Sequence, residues 1–278
     1  MLENIIKNAS QILKINNIDS HRLDAEIILS NIMKIPRNNL ILNEKKYVSK
    51  KIRREYAEAI NRRANKEPVA YILGKKEFWS QEFLINNSTL IPRPETELMI
   101  YGLISYFKKK KIRILDIGTG SGCILLAILK ELVNAHGIGI DISPTAIKVA
   151  IKNAKKLNLL KRSKFKVLDL NKFNHGKYDL IVSNPPYIPS KEIKNLSKDI
   201  INYEPIIALN GGLDGLDVMK KVIYKSTYLL KNNGLLAVEI GNQQYNKVSN
   251  FLKSNGFNEK SKVYDYNKNV RCIISTKV

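Results

Sequence analysis

Apolar residues recur every three or four positions along the first 64 residues of the chain, which is the spacing of amphipathic helices. The first helix shows this spacing most clearly, at Leu2, Ile5, Ile6, Ala9, Ile12 and Leu13. Ser20 is placed to cap a second helix that ends before Pro36, and Ser49 is placed to cap a third. The pattern therefore predicts a small bundle of three or four short helices.

The pattern changes near Pro68, where aromatic and branched residues form short extended runs between polar breaks. These runs contain Tyr71, Leu73, Phe78, Trp79, Phe83, Leu84 and Ile85. They predict a β-hairpin that joins two domains. Pro92 and Pro94 then keep the backbone extended, and a helix is expected over residues 95–107.

From Lys111 onward, short apolar strands alternate with helical stretches. Strands are expected at 112–117, 137–141, 165–168, 178–183 and 235–240, and helices at 123–132, 144–157, 216–230 and 243–254. Continuous apolar strands with helical crossovers predict an α/β fold whose parallel sheet is covered on both faces. Two last β-rich runs, 257–264 and 270–276, have a short connection and should pair antiparallel.

The length of 278 residues suits one full α/β domain and a smaller one. We expect a helical bundle over residues 1–67, a hairpin linker over 68–92 and the α/β domain over 93–278. The sequence contains no apolar run of membrane-spanning length and no signal-peptide pattern, so the cytoplasm is the expected compartment. Cys123 and Cys272 lie far apart without metal-type spacing, so no metal site is expected.

The formal net charge of +22 raises the question of a nucleic-acid partner. The lysines are spread along the chain, apart from short runs such as 108–111, and Lys, Asn and Ile all have A/T-rich codons. We therefore interpret most of the charge as a solvated surface of biased composition. Such a surface would also attract an acidic protein partner.

A glycine-rich loop follows the first predicted strand and precedes a helix. It contains Gly118, Thr119, Gly120, Ser121 and Gly122. Glycines allow a tight turn and close approach of a ligand, and the free N–H groups of the next helix face the crevice at the strand ends. The spacing is G-x-G-x-G, whereas dinucleotide sites use G-x-G-x-x-G.

Three acidic residues follow predicted strands. Asp141 is placed to accept hydrogen bonds from ribose hydroxyls, or to form an Asx turn or cap a helix. Asp116 would suit the cationic ammonium and sulfonium of S-adenosylmethionine better than a pyrophosphate, although a capping or turn role is the alternative. Asp169 could accept a hydrogen bond from the adenine amine or cap its turn. Together with the glycine spacing, Asp116 favours S-adenosylmethionine as the cofactor.

The run Asn184-Pro185-Pro186-Tyr187 follows the fourth predicted strand. An amide or amine nitrogen on an sp² carbon is a poor nucleophile, and two hydrogen-bond acceptors on its N–H groups would direct its lone pair at a methyl group. The Asn184 side-chain oxygen and the Pro185 carbonyl can supply those acceptors, and proline fixes the backbone beforehand. Pro186 and the Tyr187 ring are expected to contact the planar acceptor. The alternative is an Asn-Pro turn without function.

With these motifs assembled, the chain resembles the HemK/PrmC-type release factor glutamine methyltransferases. The similar segments are 67–74, 91–97, 116–122, Asp141 and 184–187. The resemblance implies a class I methyltransferase with a seven-stranded, mostly parallel sheet, a reversed last strand and a small N-terminal helical domain. It implies that the glycine loop and Asp141 hold S-adenosyl-L-methionine, and that Asn184 is shared between the cofactor and acceptor sites. The family often has an aromatic residue where this chain has Leu170, which leaves an apolar contact with the adenine.

The implied acceptor is the glutamine of the Gly-Gly-Gln motif in bacterial release factors. Under this hypothesis the helical bundle binds the protein substrate or only stabilises the chain. Arg93 and Glu95 wall the acceptor pocket, order the closing loop, or belong to a structural linker at the start of a helix. Release factors are then the expected partners of a monomer, without a membrane or a stable nucleic-acid partner. The alternative functions are methylation of an adenine or cytosine amine in nucleic acid, and nucleic-acid binding by an inactive methyltransferase fold.

Overall fold

The computed structural model describes residues 2–42 and 47–278, without the side chains of residues 41 and 42. The chain forms two compact units. The first contains the residues up to Lys75 together with Ser197–Tyr203, and the second contains Lys76–Leu196 together with Glu204–Val278. In the described part of the chain, the structure has no helix long and apolar enough to cross a lipid bilayer.

The first unit is helical. Its helices are α1 (Leu2–Ile15), α2 (His21–Met33), α3 (Arg37–Leu42), α4 (Lys50–Ala64), α5 (Val69–Leu73) and, from much later in the chain, α9 (Lys198–Tyr203). The apolar faces of α1 to α5 meet in one buried core, in which the Tyr56 hydroxyl donates to the Ala25 carbonyl at 3.0 Å. The predicted bundle is confirmed, with more helices than expected.

Two local predictions in this unit are wrong. Ser20 precedes α2, but its hydroxyl donates to the Asp24 carboxylate at 2.8 Å instead of capping the helix. A hydrogen bond from the hydroxyl to a charged carboxylate is stronger than the neutral bond that the hydroxyl oxygen would accept from a backbone N–H as a cap. Tyr71 and Leu73 lie in the helix α5, which begins after Pro68 and ends at Gly74 with φ of 70°, and not in an extended run. The Ser49 cap is confirmed, since its oxygen accepts from the Ile52 N–H at 3.4 Å.

A buried ion-pair network ties α9 into the helical unit. The Arg63 guanidinium donates to Asp24 at 2.7 Å and to Asp199 at 2.8 Å, and the Tyr203 hydroxyl donates to the Asn65 carbonyl at 2.8 Å. The Arg63 side chain is only 10% exposed, so its charge needs both carboxylates. The helical unit therefore depends on residues more than 130 positions away in the sequence.

The predicted hairpin consists of β1 (Lys75–Phe78) and β2 (Gln81–Leu84). Its two turn residues, Trp79 and Ser80, have φ of 51° and 53°, a region that side chains other than glycine rarely adopt. Glu97 accepts from the Trp79 backbone N–H and Glu131 from its indole N–H, both at 2.8 Å. These bonds hold the turn while Phe78 and Phe83 are buried in the core of the second unit.

The second unit contains a seven-stranded sheet. Its strands are β3 (Arg113–Ile117), β4 (His136–Asp141), β5 (Ser163–Val167), β6 (Tyr178–Ser183), β7 (Leu230–Glu239), β8 (Phe257–Tyr264) and β9 (Val270–Lys277). The order is β5-β4-β3-β6-β7-β9-β8. Neighbours from β5 to β7 are parallel, and β9 is antiparallel to both β7 and β8. The expected mostly parallel sheet with a reversed last strand is confirmed.

Helices cover both faces of this sheet. They are α6 (Pro94–Phe107), α7 (Cys123–Glu131), α8 (Pro144–Lys156), α10 (Asp217–Leu229) and α11 (Tyr245–Ser254). Alternate strand residues point to opposite faces, so Leu180 and Val182 join the core under α6 and α7, while Ile181 joins the core under α10 and α11. The largest difference from the predicted strand bounds is at β7, which begins at Leu230 directly after α10 and not at Leu235.

Candidate active site

The glycine loop, Asp141 and Asn184 lie at one edge of the sheet, where the parallel strands β3, β4 and β6 end. Ligands of doubly wound folds bind in the crevice outside the carboxyl ends of such strands. The Ser183 hydroxyl donates to the Ile117 carbonyl at 2.8 Å, which fixes the end of β6 beside the start of the loop. The structure therefore brings the two predicted halves of the site to the same edge.

Gly118 and Gly120 leave an open cradle at this edge. Their φ angles are 73° and 54°, and a Cβ on either would meet no atom of the described residues within 4 Å. The Gly118 and Thr119 N–H groups both bond to the Ile140 carbonyl, so the loop is fixed against β4. Gly122 has a different reason to be glycine, since its Cβ would lie 3.1 Å from Ala150. The first two glycines thus face a ligand space, and the third allows close packing of α8.

Asp116 lies beneath this loop. Its side chain is fully buried, Oδ2 accepts from the Thr119 hydroxyl at 2.6 Å, and Oδ1 has no hydrogen-bond partner in the described part of the chain. Burial raises the pKa of the Asp116 carboxyl to about 7, although the Thr119 hydrogen bond opposes the rise. The structure does not bring this carboxyl to the surface of the crevice, as direct contact with an ammonium would require. An unpartnered carboxylate oxygen under an open cradle fits a cationic cofactor through its charge.

Asp141 holds the backbone on both sides of the cradle. Its Oδ2 accepts from the Gly120 N–H and its Oδ1 from the Ser143 N–H, both at 2.9 Å. The second bond is the Asx turn that was the alternative expectation, whereas the cap of α8 comes from Ser143. A carboxylate has about four acceptor positions, so this half-buried group can still accept from ribose hydroxyls.

Asp169 and Leu170 follow β5. The exposed Asp169 accepts from the Asn171 N–H at 2.8 Å and so caps a short 3-10 helix. Leu170 is partly buried against the core under α10 and α11. Their contacts with an adenine ring remain predictions.

The acceptor motif forms a rigid loop after β6. The Asn184 Nδ2 donates to the Thr96 hydroxyl at 3.3 Å, and its Oδ1 is neither enclosed nor bonded to any described residue. Pro185 is buried and Pro186 partly buried. Gln244 Nε2 donates to the Tyr187 carbonyl at 2.9 Å and fixes the far end of the motif. Burial raises the pKa of the Tyr187 hydroxyl to about 12, so it stays protonated.

This arrangement can be compared with known proteins. Residues 4–74 match the family model for the PrmC N-terminal domain, and residues 108–271 match a methyltransferase domain. The release factor glutamine methyltransferase of Buchnera aphidicola subsp. Schizaphis graminum is 41% identical over 96% of this chain and 96% of its own length. The enzyme of the same name from Rhodospirillum rubrum is 37% identical over 95% of this chain and 81% of its own. The chain belongs to the release factor glutamine methyltransferase family.

A solved structure agrees on the fold of this family member. A methyltransferase from Pyrococcus furiosus aligns with a TM-score of 0.54 at 16% identity, over 78% of this chain and 98% of its own. The resemblance and the class I methyltransferase fold expected from the sequence are confirmed. The methyl donor of this methyltransferase is S-adenosyl-L-methionine, as the sequence predicted.

The segment around Arg93 is tied to a buried acid. The Arg93 guanidinium donates to Glu204 Oε1 at 2.5 Å, and the Ile91 N–H donates to its Oε2 at 3.2 Å. Arg93 also occupies the N-cap position of α6, and Glu95 in its first turn is exposed. These contacts support an ordering role for Arg93 in the second unit.

Sequence reasoning missed four residues at this edge. Thr96 contacts the Asn184 side chain and donates in turn to Glu239. Gln244 fixes the Tyr187 loop, and Ile142 leaves an apolar side chain 50% exposed next to Asp141. Glu239 had a visible signal, because it is an acid at the carboxyl end of a buried strand, the same placement that singled out Asp116 and Asp141. Thr96 lies inside the 91–97 segment that the resemblance had already marked.

Replacing Asp116 with asparagine should change how stability depends on pH. An acid whose pKa is raised on folding binds its proton more tightly in the folded state, so stability falls as pH rises from its unfolded pKa towards about 7. For Asp116 this loss amounts to at most about 4 kcal/mol. In urea unfolding, the free energy of unfolding should fall less between pH 5 and pH 8 in Asp116→Asn than in the wild type. The control is Asp169→Asn at an exposed position, which should lose as much stability as the wild type does. An equal loss in Asp116→Asn would contradict a raised pKa for the buried Asp116 carboxyl.

Replacing Asp141 with alanine should weaken cofactor binding. The change removes the ribose acceptors and releases the Gly120 N–H, so a loss of roughly 1.5–3 kcal/mol is expected. Calorimetric titration with S-adenosylhomocysteine measures it as a dissociation constant raised about 10- to 150-fold. The control Ser143→Ala removes the cap of α8 but leaves Asp141 in place. An Asp141→Ala affinity within twofold of wild type would refute the assignment.

Proposed function

We propose that the protein transfers a methyl group from S-adenosyl-L-methionine to the side-chain amide nitrogen of glutamine in the Gly-Gly-Gln motif of bacterial peptide chain release factors. The observation that carries the proposal is the free Asn184 Oδ1 in the rigid acceptor loop, at the same sheet edge as the open glycine cradle. The names of the relatives support the choice of substrate.

The chain's own residues bind and orient the acceptor. Asn184 Oδ1 and the Pro185 carbonyl accept hydrogen bonds from the two N–H groups of the amide. These bonds draw the nitrogen lone pair out of conjugation and direct it at the methyl group. The Tyr187 ring, packed near Gly241, offers a flat apolar wall to the amide plane. The bound cofactor supplies a methyl group on a positively charged sulfur. The reaction then needs positioning and exclusion of water more than a strong base.

The histidines are not part of this mechanism. His136 begins β4 and His175 precedes β6, so both lie towards the amino ends of the strands, away from the edge that carries the site. His21 begins α2 in the helical unit. The proposed roles of the acceptor motif therefore rest on Asn184, Pro185, Pro186 and Tyr187 alone.

The helical domain, taken as residues 1–67, is proposed to bind the release factor, with residues 68–92 as the linker and 93–278 as the methyltransferase domain. The net charge of +22 supports attraction of an acidic protein partner. A monomer that acts in the cytoplasm is proposed.

The test is a mass measurement on the substrate. Purified protein, cofactor and a release factor are incubated, and the tryptic peptide that contains the Gly-Gly-Gln motif should gain the mass of one methyl group on the glutamine. A release factor with that glutamine replaced by glutamate is the control and should gain none. Labelled cofactor with DNA or RNA forms the third arm, and label in nucleic acid without label in the release factor would overturn the proposal.

A further inference from the structure

The fully buried Glu239 carboxylate stands next to the acceptor site, and no step of the proposed mechanism uses it. It lies at the carboxyl end of β7, the strand beside β6 in the sheet. Its Oε2 accepts from the Thr96 hydroxyl at 2.6 Å, and the Thr96 oxygen accepts from Asn184 Nδ2 at 3.3 Å.

The direction of this hydrogen-bond chain follows from the chemistry of its ends. A carboxylate can only accept hydrogen bonds, so the Thr96 hydroxyl must donate its single proton to the bond with Glu239. The Thr96 oxygen then has only lone pairs left for Asn184, and it can bond only the NH₂ end of the carboxamide. The Asn184 Oδ1 is thereby turned away from Thr96, to the side where an acceptor amide would need it.

We propose that Glu239 and Thr96 are positioning residues that hold the Asn184 carboxamide in the one orientation that can accept a hydrogen bond from the substrate amide. The inference rests on the proposed role of Asn184 in the acceptor site. Without the carboxylate, the two ends of the carboxamide would compete for Thr96, and the flipped form would present an NH₂ group to the substrate N–H groups. That form repels the acceptor and cannot align its lone pair.

The groups around Glu239 set its protonation state, and the protonation state sets the direction of the hydrogen-bond chain from Asn184 through Thr96 to Glu239. Burial raises the pKa of the Glu239 carboxyl to about 7, while Thr96, Arg271 on β9 and Asn184 oppose the rise and Glu95 on α6 adds to it. Cys272 on β9 and Tyr187 in the acceptor loop also lie within its field. Once protonated, Glu239 can donate to Thr96, and the Thr96 hydroxyl can then donate to Asn184 Oδ1, which reverses the chain.

The decisive variant is Thr96→Val, which keeps the side-chain shape and removes the hydroxyl. We expect turnover of the release factor to fall about 10- to 100-fold. The affinity for S-adenosylhomocysteine should stay within threefold. Thr96→Ser keeps the hydroxyl and should restore turnover to within a few-fold of wild type. Ser275→Ala removes a buried hydroxyl of β9 that has no partner among the described residues, and it should leave turnover unchanged.

The pH profile provides a readout that a merely structural role would not move. The wild-type turnover number should fall as pH drops below about 7, because the protonated carboxyl no longer fixes the chain. Glu239→Gln can both donate and accept, so its turnover should be lower at pH 8 and should not vary between pH 6 and 8. If Thr96→Val folds with wild-type turnover, or if Glu239→Gln keeps the wild-type acid limb, the inference is wrong. Inactivity of the wild type towards release factors would instead reject the proposed function.

Discussion

Replacing Asn184 with alanine should lower release-factor methylation roughly 100- to 1,000-fold, the usual effect of removing one preorganised hydrogen-bonding group from a transition-state site. The loss should appear in the turnover number at saturating cofactor, because the Asn184 Oδ1 has no partner among the described residues and the alanine gives up only the long 3.3 Å bond from Nδ2 to Thr96. Single-turnover assays with quantification of the methylated peptide measure the effect. The dissociation constant of S-adenosylhomocysteine should change only a few-fold.

The control for this variant is Asn195→Ala, an exposed asparagine further along the same stretch of chain after β6. It should methylate at the wild-type rate. A large loss of cofactor affinity in Asn184→Ala, with normal turnover once the cofactor is saturating, would assign Asn184 to the cofactor and not to the acceptor.

Replacing Gly215 with alanine should damage the acceptor site through the backbone. Gly215 has φ of 75°, and a Cβ there would lie 2.3 Å from the Tyr187 carbonyl oxygen and 2.8 Å from Gln244 Nε2, the two atoms that anchor the acceptor loop. These atoms must separate to admit the methyl group. We expect turnover to fall by at least about 100-fold and the free energy of unfolding to fall by roughly 2–4 kcal/mol.

Gly256 offers a matched control for this experiment. Its φ is 78°, so alanine suffers similar backbone strain, but a Cβ there would lie more than 4 Å from every atom that the structure describes. Gly256→Ala should cost about 1 kcal/mol of stability, measured by urea unfolding, and should leave turnover unchanged. If both variants lose the same activity, the effect comes from strain and instability, and the anchoring of the acceptor loop by Gln244 has no role.

The sheet could be predicted from the sequence because its information is local. Each buried strand is a short apolar run, and a parallel arrangement places all its carboxyl ends at one edge, so the loop after β3, Asp141 and Asn184 had to converge. The bounds of β6 and β8 agree with the prediction at both ends. The start of β7 differed because Lys231, Asn232 and Asn233 are polar and exposed, so the strand begins before its apolar run does.

The residues that the sequence could not reveal act through distant partners. Thr96 and Glu239 are 143 positions apart and meet only because α6 packs beside the end of β7. Ser20 differs from this, because its acceptor Asp24 lies only four residues further on, in α2, and the sequence does not show whether the hydroxyl bonds that carboxylate or caps the helix. Residue spacing predicts one helix or strand at a time, whereas the Thr96–Glu239 hydrogen bond depends on two elements that are far apart in the sequence.

The return of α9 to the helical unit affects how the chain can be divided and when it can fold. The sequence similarity of the N-terminal domain ends at residue 74, yet Arg63 needs the carboxylate of Asp199. A fragment cut after the hairpin would keep a buried guanidinium with one of its two anionic partners. During synthesis, Arg63 lacks its second carboxylate until the segment that ends at Tyr203 has left the ribosome. The helical unit is therefore completed only after strands β3 to β6 of the second unit have been synthesised.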